Sequence, residues 1–124
     1  MAGERVIHIL HPPPDVSPFL IEYIGRANRR HGLSASIYAN PFVIGRDGDR
    51  AEVLAQYREW APQQPRLMAA LPSLAGKVLA CWCKWPNRLT PCHGDILIEM
   101  LDAVESARYR ALDALAAERL REGI

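Results

Sequence analysis

Apolar positions fall in short β-branched runs near the start of the chain and in a helical period near its end. Arg5–His11 (RVIHILH) predicts a first strand, and Phe19–Ile24 (FLIEYI), closed by Gly25, predicts a second. Between them Pro12, Pro13, Pro14 and Pro18 forbid helix and force an extended loop, across which the two strands are placed to pair as a hairpin. Residues 27–39 are polar and irregular and read as a solvated loop. Asn40-Pro41-Phe42 marks a turn, and Val43-Ile44 suggests a short strand. Asp47-Gly48-Asp49 then supplies an N-cap for a helix from Arg50 to Trp60, with Ala51, Leu54, Tyr57 and Ala61 on its apolar face and Pro62 as its stop.

A short helical turn is expected over Arg66–Leu71, ended by Pro72. Gly76 and Lys77 lead into VLACWC, the most strand-like run of the chain, and Trp85-Pro86-Asn87 reads as loop. Thr90 as N-cap and Pro91 at the first helical position predict the start of a last helix. Leu97, Met100, Leu101, Val104, Leu112 and Leu115 carry it almost to the C-terminus. The expected fold class is α/β: a small sheet of three to four strands covered by helices, with a long C-terminal helix. Residues 1–105 form a single domain in this reading, and residues 106–124 are a helical extension of it.

Composition narrows the function classes. With 124 residues, 49% hydrophobic and 23% charged, the chain can bury a real core and is not a disordered segment. A net charge of +1 gives no global field for nucleic acid or acidic membranes, so nucleic acid is not an expected partner. The cationic residues are thirteen arginines against two lysines, a bias that suits forked anion contacts as well as base composition. The N-terminal apolar run is too short for a signal peptide and no stretch suits a membrane helix, so a cytoplasmic setting is expected. Three cysteines within twelve positions fit a disulfide framework poorly, leaving metal ligation, thiol chemistry or burial.

Those cysteines lie in CWCKWPNRLTPCHGD, from Cys81 to Asp95. On a strand, Cys81 and Cys83 would leave the same face and Trp82 the other. Cys92 and His93 would sit in the first turn of the last helix, where free N–H groups favour anions. A zinc site on Cys81, Cys83, Cys92 and His93 matches a structural shell in donor number and softness, although Cys-x-Cys spacing is tighter than the usual knuckle. Alternatively Cys92 is a nucleophile with His93 or Asp95 as base or orienter, or the thiols are merely buried.

Taken together, Tyr23-Ile24-Gly25-Arg26, Asn40-Pro41-Phe42, Gly45, Arg50, Tyr57, Gly76-Lys77, Cys81-Trp82-Cys83 and Cys92-His93-Gly94-Asp95 resemble the domain-of-unknown-function family number 4326. The resemblance runs from about Val6 to Leu101 and implies a small bacterial or bacteriophage domain, without implying a reaction. The stretch from Lys84 to Pro91 is longer than in the compact family pattern.

Arg26 and Arg50 can fork onto an anion, and Asn40 offers a two-sided amide. The leading expectation is therefore a site for a nucleotide or other phosphate-bearing small molecule, binding or processing it beside the Cys/His cluster. The alternative is a non-catalytic phage accessory or interaction protein with a structural metal. From Ile96 to Leu120 the apolar stripe spans on the order of 37 Å, longer than such a domain needs. Leu112, Leu115 and Leu120, flanked by Arg108, Arg119 and Arg121, either fold onto the domain or pair with a second copy as a homodimer.

Overall fold

Val78–Cys81 becomes the central strand of the sheet, as its unbroken apolar character suits. The computed structural model describes residues 5–86 and 90–123. Its elements are β1 (Val6–His8), β2 (Ile21–Tyr23), α1 (Arg50–Trp60), α2 (Pro65–Ala70), β3 (Val78–Cys81) and α3 (His93–Glu122). Strand order is β1-β3-β2, and β3 runs parallel to both neighbours. The predicted hairpin between the first two strands is thus not formed. Parallel insertion gives β3, whose Leu79, Ala80 and Cys81 are fully buried, a hydrogen-bonded partner on each side. The proline-bearing connection carries the chain from one sheet edge to the other, and α1 and α2 supply the crossover into β3.

Local chemistry sets the element ends. Ser17 caps a 3-10 turn at Pro18–Leu20, which shortens the second strand and leaves Phe19 93% exposed. Val43 and Ile44 form no strand: the Asp47 carboxylate accepts the Val43 N–H at 2.8 Å and curls the segment into a turn. α1 has its predicted bounds because Asp49 and Glu52 close a reciprocal capping box. Its buried face is Val53 and Tyr57, while Ala51 is exposed. Pro72 does not end the helical path, since it occupies the first turn of a further 3-10 segment, Leu71–Leu74, where a missing N–H costs nothing.

α3 begins at His93, two residues later than Thr90-Pro91 would start it. Cys92 is the N-cap, and the Asp95 carboxylate accepts the Cys92 N–H at 3.0 Å. The first turns of α3 pack on β3, α1 and the Leu71–Leu74 turn, burying Ile96, Leu97 and Leu101 beside Tyr57 and Leu79. From Ser106 to Gly123 every residue is exposed, so about 25 Å of helix stands clear of the core. Among the described residues no helix is long and apolar enough to cross a membrane.

Candidate functional site

The carboxyl end of β3 and the start of α3 bring the sulfurs together. Cys81 Sγ and Cys92 Sγ lie 3.4 Å apart in a buried contact, and the half-buried Cys83 follows two residues after Cys81, just past the end of β3. Cys92 Sγ also accepts the Gly94 N–H at 3.2 Å, so a thiol takes the place of the usual N-cap oxygen. Both contacts stabilise negative charge on that sulfur. The bond from Cys81 and the Gly94 amide hold the Cys92 thiol below its ordinary value against burial and the nearby Asp95. Cys81 moves the opposite way, to about 11: the Cys83 thiol pulls it down, but the Cys92 contact and burial outweigh that pull. Cys83 is pushed up as well, by Cys81 and burial, with Arg50 opposing. With the Gly94 N–H directed at its sulfur, Cys92 is the better placed of the pair to carry negative charge.

His93 turns away from the sulfurs. Its Nε2 lies 2.7 Å from the Ile24 carbonyl, and its ring meets Tyr57 edge-on at 5.2 Å. Burial holds the imidazole neutral, below the ordinary histidine value, so the carbonyl contact makes Nε2 the protonated nitrogen. Adjacent side chains at a helix start diverge, and that separates His93 from Cys92. Among the described residues no group of three or more His, Cys, Asp or Glu side chains is arranged to hold a metal ion. Asp95 is occupied by the Cys92 N–H and by Lys84 Nζ at 2.8 Å, so it orients the helix start and does not face Cys92 as a base.

A cavity of about 340 Å³ opens beside this cluster, at the carboxyl end of β2 and β3. Its wall includes Arg26, Asn40, Arg50, Cys83, Cys92 and His93, which were separate candidates in the sequence. Cys81 and Asp95 are not part of the lining: Cys81 is buried, and the Asp95 side chain is partly exposed beside Lys84. Phe42, Val43, Ile44, Val53, Leu54 and Trp82 complete an apolar lining that no single motif announced. Trp82 reaches the cavity because β3 ends at Cys81 and the chain bends there, ending strict alternation. This is the edge at which open parallel sheets present ligand sites.

Residues 15–103 match the family described as Domain of unknown function (DUF4326). The chain belongs to this family. An uncharacterized protein of Acanthamoeba polyphaga mimivirus is 33% identical over 111 residues, covering 85% of each chain. No solved structure matches. The matched span of the DUF4326 domain contains the whole cavity wall and stops before the exposed part of α3.

Within the DUF4326 domain, the motif residues fold on one another. Tyr23 Oη donates to the Arg26 carbonyl at 2.6 Å and accepts from Trp82 Nε1 at 2.7 Å, with its ring lying where a Cβ on residue 25 would be. Glycine at position 25 makes that fold-back possible. Arg26 reaches the carbonyls of Asn40 (3.0 Å) and Phe42 (2.8 Å). Asn40 Oδ1 accepts the Phe42 N–H at 2.9 Å, and its amide donates to the Val53 carbonyl at 3.3 Å. Arg50 donates to the Pro91 carbonyl at 3.1 Å, tying α1 to the segment before α3. Asn40 and much of Arg26 thus build the wall. Their pairing was legible only as an Asx turn before a proline.

Proposed function

We propose that the domain binds a compact phosphate-bearing small molecule, of nucleotide size or smaller, in this cavity. The supporting observation is charge: among the described residues of the wall Arg26 and Arg50 are the cations, and neither is ion-paired with a carboxylate. A guanidinium that bonds only to carbonyls keeps its full charge and spare N–H donors for a forked contact with an anion. The volume lies near the lower end of small-molecule sites, and Phe42 and Trp82 offer flat apolar cover for a base or sugar. Any chemistry on the ligand would fall to Cys92, the wall sulfur that accepts the Gly94 N–H. The setting on this reading is the cytoplasm of a bacterial or virus-infected cell.

Thermal shift and calorimetry with inorganic phosphate and nucleoside phosphates test this reading. Arg50→Gln should weaken binding roughly 10-fold or more, the worth of one charge-assisted contact. If no phosphate compound raises the melting temperature of the wild type, the anion site is refuted. The contact between the Cys81 and Cys92 sulfurs favours a second reading, a structural zinc in a non-catalytic accessory protein. It needs Cys83 to swing onto the pair, and His93 to leave the Ile24 carbonyl or a water to serve as fourth ligand. One zinc per chain, released by Cys83→Ser with loss of stability, would establish it, and metal-free purified protein would exclude it.

A further inference from the structure

We infer that Cys81 and Cys92 are a redox site: they close a reversible intrachain disulfide, and Cys92 is the sulfur that meets the oxidant. The two sulfurs are 3.4 Å apart and both cysteines are free. Bond formation needs them to approach to about 2 Å, a shift that side-chain rotation and a small movement of the α3 start can supply. The cavity wall includes Cys92 and Cys83 but not Cys81, so a small hydroperoxide reaches Cys92 before its partner, and of the two wall thiols only Cys92 accepts a backbone N–H that stabilises it as an anion. The Gly94 N–H at 3.2 Å and the α3 N-terminus stabilise the sulfur as the attacking anion. Cys83 is the poorer partner for Cys81, because a disulfide between residues two apart closes a strained, very small ring.

The chemistry balances with a hydroperoxide as the co-reactant. The Cys92 thiolate attacks one peroxide oxygen, the O–O bond breaks, and the departing oxyanion takes a proton from solvent. Cys92 is left as a sulfenic acid. The Cys81 sulfur then attacks Cys92 sulfur, the S–S bond forms and the S–O bond breaks. The departing hydroxide leaves as water with the Cys81 proton. Two electrons pass from the sulfur pair to the peroxide, and a dithiol reductant returns the disulfide to two thiols while becoming a disulfide itself. The disulfide pins the end of β3 to the first turn of α3, across the connection that carries Trp82 and Cys83 of the cavity wall. This inference uses the cavity as an access route and does not depend on the anion it binds.

Hydrogen peroxide treatment of the ligand-free, full-length protein, followed by peptide mapping without reduction, tests it. The expected product has lost two of three thiols and two hydrogen masses, carries a Cys81–Cys92 cross-linked peptide, and reverts with dithiothreitol. Cys81→Ser should stop at sulfenic acid on Cys92, captured by dimedone. Cys92→Ser should keep its remaining thiols at the dose that oxidises the wild type. Should a variant fail to fold, the wild-type map still decides. A cross-link through Cys83, a cross-link between chains, or intact thiols at a dose that oxidises the urea-unfolded chain would each overturn the assignment.

Discussion

Gly94→Ala is the sharpest test of how α3 is seated. A Cβ at this position would stand 2.8 Å and 3.2 Å from the two γ-carbons of Val6 and 3.0 Å from Ile24 Cδ1. Carbon atoms prefer roughly 3.5–4.0 Å, so three contacts are too close by several tenths of an ångström. Ile24 is fully buried, and a β-branched valine has little rotamer freedom with which to yield. Overpacking of this kind costs about 1–3 kcal/mol. Alanine in a helix returns about 0.5–1 kcal/mol relative to glycine. With its shortest contact at 2.8 Å the clash belongs in the upper part of the overpacking range and wins by about 1–2 kcal/mol. Urea unfolding should show a lower midpoint with an unchanged slope.

Val6→Ala removes both γ-carbons, so Gly94→Ala made in that background should cost less than about 0.5 kcal/mol. A Gly94→Ala protein as stable as the wild type, or an equal cost in both backgrounds, would refute the seating. The same displacement lengthens the Gly94 N–H contact to Cys92, so iodoacetamide should alkylate Cys92 more slowly in the single variant.

Acid should destabilise the fold from a defined point. Burial holds His8 and His93 below the ordinary value of 6.5, with the neighbouring His11 adding to the effect at His8 and Arg26 at His93. Below that value the unfolded chain takes up protons that the native state refuses, so stability is full above pH 6.5 and declines as pH falls further. A melting temperature that stays flat as pH is lowered through this range would contradict the assignment. The exposed stripe Tyr109, Leu112, Leu115 and Leu120 does not fold back onto the domain. Pairing with a second copy predicts a dimer in light scattering that becomes a monomer on truncation after Ala107, with little change in melting temperature. Full-length protein that is monomeric at high concentration rules the pairing out.

Features governed by neighbours along the chain were legible in the sequence. α1 starts where Asp49 and Glu52 say it should, because a capping box spans four residues and needs nothing else. The same rule, applied to Cys92 and Asp95, would have located the start of α3, but cysteine is not an ordinary N-cap and Thr90-Pro91 offered a better-looking signal. Strand order was not legible. Nothing in FLIEYI says whether its partner is the run before it or one some fifty residues later; only the burial of β3 on both sides decides that. The cavity was half legible. Arg26, Arg50, Cys83 and Cys92 announced themselves by chemistry, whereas Val53 and Leu54 reach the wall only through the packing of α1. The ring orientation of His93 depends on the Ile24 carbonyl, 69 positions away in sequence.

The choice of cysteine at position 92 bears on what the site is for. Serine, threonine or aspartate caps a helix better, since an oxygen accepts an N–H more strongly than sulfur does. The capping box with Asp95 would close equally well around an oxygen, because the Asp95 carboxylate takes the backbone N–H of residue 92 and not its side chain. Packing accounts for part of the choice: Cys92 is fully buried in the core cluster, where sulfur costs less to desolvate than a hydroxyl or carboxylate. The fold gives up cap strength at this position and gains an apolar atom that is also polarisable and ionisable, on a cavity wall. That atom has a second thiol against it in Cys81, an amide beside it in Gly94 and the guanidinium of Arg50 on the same wall. Cap strength and the Asp95 contact leave the sulfur unexplained, burial accounts for an apolar atom at this position, and the oxidation experiment decides whether its ionisable character is used as well.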